Sequence, residues 1–389
     1  MHIVSAMFGE GGVFGGGERY AFELARHMAD EVDTVLLAFG PHERRERIGK
    51  LDLRVIGNPW YVRGQRGNPL TLSLLTHLRR VDVVHCHQQH LLATSLAALA
   101  CRALRTPVFV TDLGGGGWDV SAYVSTDRWF NGHLHLSEYS RTHSGHGGKA
   151  FAHVILGGVD TEKFSPGIAN PADGAVVYAG RLLPHKGIND LIVAMAPELE
   201  LKIIGQVADQ RFLADLHRMA AGKRVTFRHD CDDAELVQAY RGALCVVLPS
   251  VYRTIYGDET PVPELLGQTL LEGMACGRPV ICTRVASMPE IVEDGVCGFI
   301  VPPNDPAALA ERIGWLHDHP AEAAAMGAAA RRRVLDKFTW PKVVRRCLSH
   351  EICKPCIGVR ARGTAEEKPG RHQLRPQAYR LRNGHIRLA

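Results

Sequence analysis

The chain has 389 residues, 46% of them hydrophobic and 22% charged, which is the make-up of a soluble globular protein and too long for one ordinary core, so two domains are expected. Its net charge of +5 sits at one end: residues 351–389 hold nine Lys/Arg against three Glu, while the first 350 hold 37 basic and 38 acidic residues. A near-neutral body lacks the basic face that nucleic-acid binding needs, no apolar run reaches the roughly 20 residues of a membrane span, and the ten scattered cysteines form no disulfide framework.

The opening MHIVSAMF reads as a strand with no basic leader ahead of it, so no signal peptide is expected. A glycine cluster follows, GEGGVFGGGE, and then YAFELARHMA at helical spacing. Short apolar runs recur at 34–39, 81–87 and 106–112, separated by helix-period segments such as LATSLAALACRAL. HLHLSEYSR and HVILGGVD close this half. Strand, loop and helix in repetition predict a parallel sheet covered by helices. Residues 161–174, turn-rich with Pro166 and Pro171, read as a linker. AVVYAGR restarts the pattern at 175, with later strands at 201–205, 224–228, 244–250, 278–283 and 298–303. Helices are expected near 306–317, 321–336 and 341–350. The reading is thus an N-terminal domain over 1–160, a second over 175–337, a last helix over 338–350 and a basic, disordered tail over 351–389.

Three stretches carry chemistry. In PELLGQTLLEGMACGRPV, Glu264 lies in a loop before a helix starting near Gln268, and Glu272 lies about one turn inside it. A helix N-terminus offers free N–H groups and positive potential to an anionic diphosphate, and carboxylates accept strong hydrogen bonds from sugar hydroxyls. A capping Glu264 with a solvated Glu272 is the bland alternative. In AGRLLPHKG, Arg181 and Lys186 follow a strand, where two fixed cations can neutralise a departing diphosphate. In GGVFGGGER, Gly15, Gly16 and Gly17 permit close backbone approach to phosphate, although the spacing is not that of a dinucleotide fingerprint.

These motifs, together with GGGERYAFELARHMA, DVVHCHQ, LSEYSR, GGVDTEKFSP, YAGRLLPHKG and MPEIVEDGVCGFIVPPND, resemble the retaining family-4 (group 1) glycosyltransferases over about residues 1–350. The resemblance implies the GT-B architecture, two Rossmann-like doubly wound α/β domains with an acceptor-side domain first. It implies that the second domain holds a nucleoside diphosphate sugar. By position, Arg181 and Lys186 would bind the diphosphate, Glu264 the transferred sugar and Glu272 the ribose. The amides of Gly267, Gln268 and Thr269 would face sugar and phosphate, and Gly15 to Gly17 would approach the donor from the other side. The helix at Trp340 would return to the first domain. Where many relatives carry a histidine after the VFVTD strand, this chain has Asp112. Contact with a reacting hydroxyl and a turn-initiating role both remain open there.

The expectation is a hexosyltransferase acting with retention on an unidentified hydroxyl acceptor (glycan, lipid-linked sugar or small molecule), without metal or cofactor. The alternatives are a GT-B sugar-nucleotide epimerase and a non-catalytic nucleotide-sugar-binding module. A cytoplasmic location is expected, with peripheral contact at the inner membrane face left open by Arg63, Arg66 and Arg79, which have no acid among them. His85 and His87 alternate on one strand face, but with no third ligand in view they read as packing residues. Cys353 and Cys356 form a lone CxxC without the second pair that zinc requires.

Overall fold

A computed structural model describes residues 1–7, 16–114, 117–167, 174–351, 381–382 and 385–386. The strands are β1 His2–Met7, β2 Val35–Gly40, β3 Arg44–Ile48, β4 Leu51–Gly57, β5 Trp60–Tyr61, β6 Pro69–Leu70, β7 Val84–His87, β8 Val108–Thr111, β9 Gly132–His135 and β10 Ala152–Val154. They continue as β11 Val176–Ala179, β12 Leu201–Ile204, β13 Val225–Arg228, β14 Cys245–Leu248, β15 Val280–Thr283 and β16 Gly298–Val301. The helices are α1 Gly16–Met28, α2 Leu74–His77, α3 Leu92–Leu104, α4 Glu138–His143, α5 Ile188–Ala194 and α6 Gln210–Met219. They run on as α7 Asp233–Arg241, α8 Gln268–Ala275, α9 Met288–Ile291, α10 Pro306–Asp318, α11 Pro320–Lys337 and α12 Trp340–Glu351.

The first sheet has the order β10-β9-β8-β7-β1-β2-β4-β3. Its pairs from β9 through β4 are parallel, and β3 closes the edge antiparallel to β4. Only the parallel part was expected. RRERI reads as a polar loop because its side chains are half-buried or exposed along the whole strand, and a strand at a sheet edge needs no apolar face. One face of the sheet buries Ile3, Leu37, Cys86, Val108 and Val110 against α3, whose Ala93, Ala97, Ala98 and Cys101 allow close approach. The register of β1 with β7 sets His2 opposite His85 and Ile3 opposite Cys86, so the histidines take the other face.

The second sheet is wholly parallel, in the order β13-β12-β11-β14-β15-β16. Such a sheet is buried on both faces, which is why VVYA, CVVL and VICT are continuous apolar runs rather than alternating ones. Its order reverses direction between β11 and β14. In open α/β sheets ligands bind beyond the strand C-termini at that switch.

By packing, one compact unit holds Met1–Thr111, Gly115–His133 and the chain from Cys347, and the other holds Asp112–Gly114 and Leu134–Arg346. The division by packing falls inside β9, and α12 begins in one unit and ends in the other. The expected linker falls partly, and the expected tail and Cys353/Cys356 almost wholly, outside the described residues; two-residue strands pair at Leu381–Arg382 and His385–Ile386. Among the described residues no helix is long and apolar enough to cross a membrane. The eight described cysteines are free, and burial pushes the thiols of Cys101, Cys245 and Cys276 up to about 12.

Candidate active site

The loops that leave β11 and β14 meet at the switch point of the second sheet. After β11 the chain passes Arg181, makes a short 3-10 turn over Pro184–Lys186 and enters α5 through Gly187. Gly187 has φ +65°, and a Cβ there would lie 2.0 Å from the Pro249 carbonyl oxygen, so only glycine lets the two loops approach this closely. After β14 come Pro249 and Ser250, and the loop returns at Pro263 and Glu264 before α8.

Three side chains lock together where these loops meet. Lys186 Nζ is ion-paired with Glu264 Oε1, and Ser250 Oγ donates to the same oxygen at 2.9 Å. Lys186 also reaches the Pro263 carbonyl at 3.4 Å. The Lys186 and Glu264 side chains are 14% and 11% exposed, so the pair is shielded but open to a ligand at one edge. An ammonium has three N–H donors; with Glu264 and Pro263 satisfied, one remains for a further oxygen. Arg181 is exposed, and its carbonyl accepts from the buried Tyr178 hydroxyl at 3.0 Å. Burial first, and the neighbouring Lys186 second, hold the His185 imidazole down at about 4, so at neutral pH the loop's charge comes from Arg181 and Lys186 alone.

Helix α8 starts at Gln268 behind Gly267, a left-handed N-cap residue with φ +65°. The Gly267 carbonyl takes the N–H groups of Leu270 and Leu271, at 2.9 and 3.4 Å. The amides of Gly267, Gln268 and Thr269 have no acceptor among the described residues, as expected of a first turn. Thr269 Oγ1 donates to the Ala179 carbonyl at 2.8 Å, which ties this turn to the end of β11. Gln268 Nε2 donates to the Gly158 carbonyl at 3.3 Å.

The two glutamates have different surroundings. Glu264 stands in the loop, whereas Glu272 is 5% exposed and accepts the Tyr240 hydroxyl at 2.9 Å. Burial and Glu272 together push the Tyr240 hydroxyl well above its usual range, which keeps it a donor. The solvated Glu272 of the bland reading is thus corrected by its burial. Asp112 is half-buried and accepts from the Gly114 amide at 3.3 Å, a turn-initiating bond. Gly114 packs beside Leu265: a Cβ at 114 would lie 2.6 Å from Leu265 Cδ1. Gly15 lies outside the described residues. Gly16 and Gly17 form the first turn of α1 in the other unit, with open space around Gly16.

Ser250, Tyr240 and Gly187 went unread in the sequence. Ser250 follows a strand end and Gly187 follows the lysine, which are faint signals; nothing near Tyr240 points to Glu272. Among the described residues, groups with metal-ligand spacing lie elsewhere: His2, His85 and His87, and Asp127, His133 and His146.

Comparison with known proteins bears on the family and the fold of the chain. The model of the family described as Glycosyl transferases group 1 matches residues 160–333, and that described as Glycosyltransferase Family 4 matches 14–163. A GDP-mannose-dependent alpha-(1-6)-phosphatidylinositol monomannoside mannosyltransferase of Mycolicibacterium smegmatis is 31% identical over 227 residues, 53% of this chain and 58% of that protein. A glycogen synthase of Mycobacterium tuberculosis is 31% identical over 49% of this chain and 45% of its own. The chain therefore spans about half the length of these curated relatives. Among solved structures, sucrose-phosphate synthase of Thermosynechococcus elongatus superposes with a TM-score of 0.67 at 22% identity, covering 89% of this chain and 96% of its own. Anabaena HepE in complex with UDP gives 0.66 at 20%, covering 90% and 99%. These likenesses establish the GT-B fold.

Proposed function

The chain belongs to the group 1 glycosyltransferases, and on that premise we propose that it moves a hexose from a nucleoside diphosphate sugar to an acceptor hydroxyl with retention of configuration. The observation that carries this reading is the knot of Lys186, Glu264 and Ser250 beside the unspent amides of α8. One relative is named for GDP-mannose, and Anabaena HepE was solved with UDP and with UDP-glucose, which supports a donor of this class.

In this reading the diphosphate lies against the N–H groups of Gly267, Gln268 and Thr269, with Arg181 and the third N–H of Lys186 on its oxygens. Glu264, fixed through one oxygen by Lys186 and Ser250, turns its other oxygen to the sugar hydroxyls. Glu272 anchors the ribose, with Tyr240 holding its orientation. The anomeric carbon–phosphate oxygen bond breaks and the acceptor oxygen bonds to the same face. The acceptor proton passes to the departing phosphate oxygen. Rate enhancement comes from positioning and from fixed positive charge, so no divalent cation is required.

The test is a panel of UDP- and GDP-hexoses scored for thermal stabilisation, then for transfer to acceptors, with the product anomer read by NMR. A stabilising donor, an anomer matching that donor, and rates unchanged by added Mg2+ or Mn2+ are expected. A product of opposite anomeric form, or activity appearing only with added divalent cation, would overturn it. Epimerised donor formed without acceptor would identify an epimerase instead.

A further inference from the structure

Opposite the α3 face of the first sheet, His2, His85 and His87 lie side by side, 2%, 1% and 0% exposed. His2 is in register with His85, and His87 follows two residues on, so the fold itself gathers all three rings. We propose that these three imidazoles form a buried site for one zinc-like divalent cation, with Cys347 of α12 as the fourth ligand. This site is independent of the glycosyl-transfer reading.

The donor atoms, one per histidine, lie within 4.8 Å of one another. His2 Nδ1 and His87 Nε2 are 2.9 Å apart, close to the edge of about 3.3 Å that two nitrogens span when bound tetrahedrally at about 2.05 Å. His85 and His87 stack with ring centroids 4.3 Å apart, so a modest rotation of His85 completes the triangle. Second contacts set the rings: His85 Nε2 meets Thr111 Oγ1 at 2.8 Å, and His2 Nε2 meets Met28 Sδ at 3.1 Å. Cys347 Sγ stands 3.8 Å from His85 Nδ1. His87 Nδ1 is buried without a hydrogen-bond partner, and the ring's other nitrogen, Nε2, is the one that faces His2. Three nitrogens and a thiolate are a borderline-soft set that favours Zn2+ or Co2+ over Mg2+ or Ca2+. Because the ligands come from β1, β7 and α12, the ion would staple the end of the last helix to the sheet.

The site is closed, so loading is expected during folding. The untagged full-length protein, produced in Co2+-supplemented medium, is expected to retain one equivalent of cobalt after gel filtration, with visible d–d bands and a thiolate-to-cobalt charge-transfer band. Cys347→Ser is expected to abolish the charge-transfer band, and His2→Gln or His87→Gln to reduce retained metal at least tenfold. Elemental analysis of wild type produced with Zn2+ provides a measurement that no variant's folding can confound. Less than a tenth of an equivalent in wild type with either metal overturns the proposal. So does full retention by folded His2→Gln and His87→Gln proteins, which would place the metal on other histidines.

Discussion

Lys186 and Glu264 allow stability and catalysis to be separated. Two unit charges at about 4 Å attract by about 4 kcal/mol at an effective dielectric near 20, and breaking a buried pair costs about 3–5 kcal/mol because the survivor is left uncompensated. With side chains 14% and 11% exposed, and with Ser250 still donating to Glu264, the cost of Lys186→Met is smaller, about 2–3 kcal/mol. For a unit of this size that corresponds to a fall of about 5–10 °C in the unfolding midpoint. Glu264→Gln is expected to lose a similar amount by stranding the ammonium. The double variant is expected to return to within about 1 kcal/mol of wild type, a coupling of about 3 kcal/mol or more. Transfer behaves otherwise: all three variants are expected to lose at least about a hundredfold in kcat, the double included. Calorimetry and donor-turnover assays on the four proteins read both quantities. Additive losses in the double variant would refute the pairing argument, and recovered turnover would refute the catalytic one.

Other outcomes follow from the same unit. Burial raises the Asp190 carboxyl from 3.8 to about 6, and its Oδ2 is buried without a partner beside Asn189, whose Nδ2 donates to Oδ1 at 2.7 Å. Between those two values the folded state binds a proton that the unfolded state has released, so stability falls as pH rises through this window and levels off above 6. Asp190→Asn is therefore expected to stabilise by about 2 kcal/mol at pH 7 and by almost nothing below pH 4; a difference flat in pH, from denaturation at both ends, would contradict this. Gly187→Ala, with its Cβ driven against Pro249, is expected to cost at least about 2 kcal/mol, whereas Gly49→Ala, also at positive φ but in open space, costs about 1 kcal/mol; equal losses in urea titration would remove the close-approach argument. Tyr240→Phe is expected to lose about 1–3 kcal/mol and to raise the donor KM several-fold, since Glu272 loses the hydroxyl that orients it; an unchanged KM would detach Glu272 from the donor.

How far the sequence could be read depended on how local each signal is. The strands of the second sheet are apolar throughout because both faces are covered, and runs such as CVVL announce themselves. β3 did not, because its exposed arginines look like a loop until the edge position is known. Glu264, Lys186 and Gly267 lie in short contiguous motifs, PELLGQTLLEG and AGRLLPHKG, so a local reading reaches them. Ser250 and Tyr240 act through contacts 14 and 32 residues away in sequence, which no short motif encodes. His2 is the extreme case. His85 and His87 appeared to lack a third partner, because strand pairing brings it from 83 and 85 positions earlier.

The antiparallel strand at the rim of the first sheet has a consequence for how the protein behaves in a crowded solution. β3 lies at the sheet edge, and its Arg45 and Arg47 stand on one face of that edge, with Arg45 clamped on Asp52 through bonds of 3.0 and 2.9 Å. A second molecule docking alongside would have to strip water from these charged side chains, which disfavours edge-to-edge pairing. Exchanging the arginines of this short charged edge for threonine or valine is therefore expected to favour edge-to-edge association, read by light scattering.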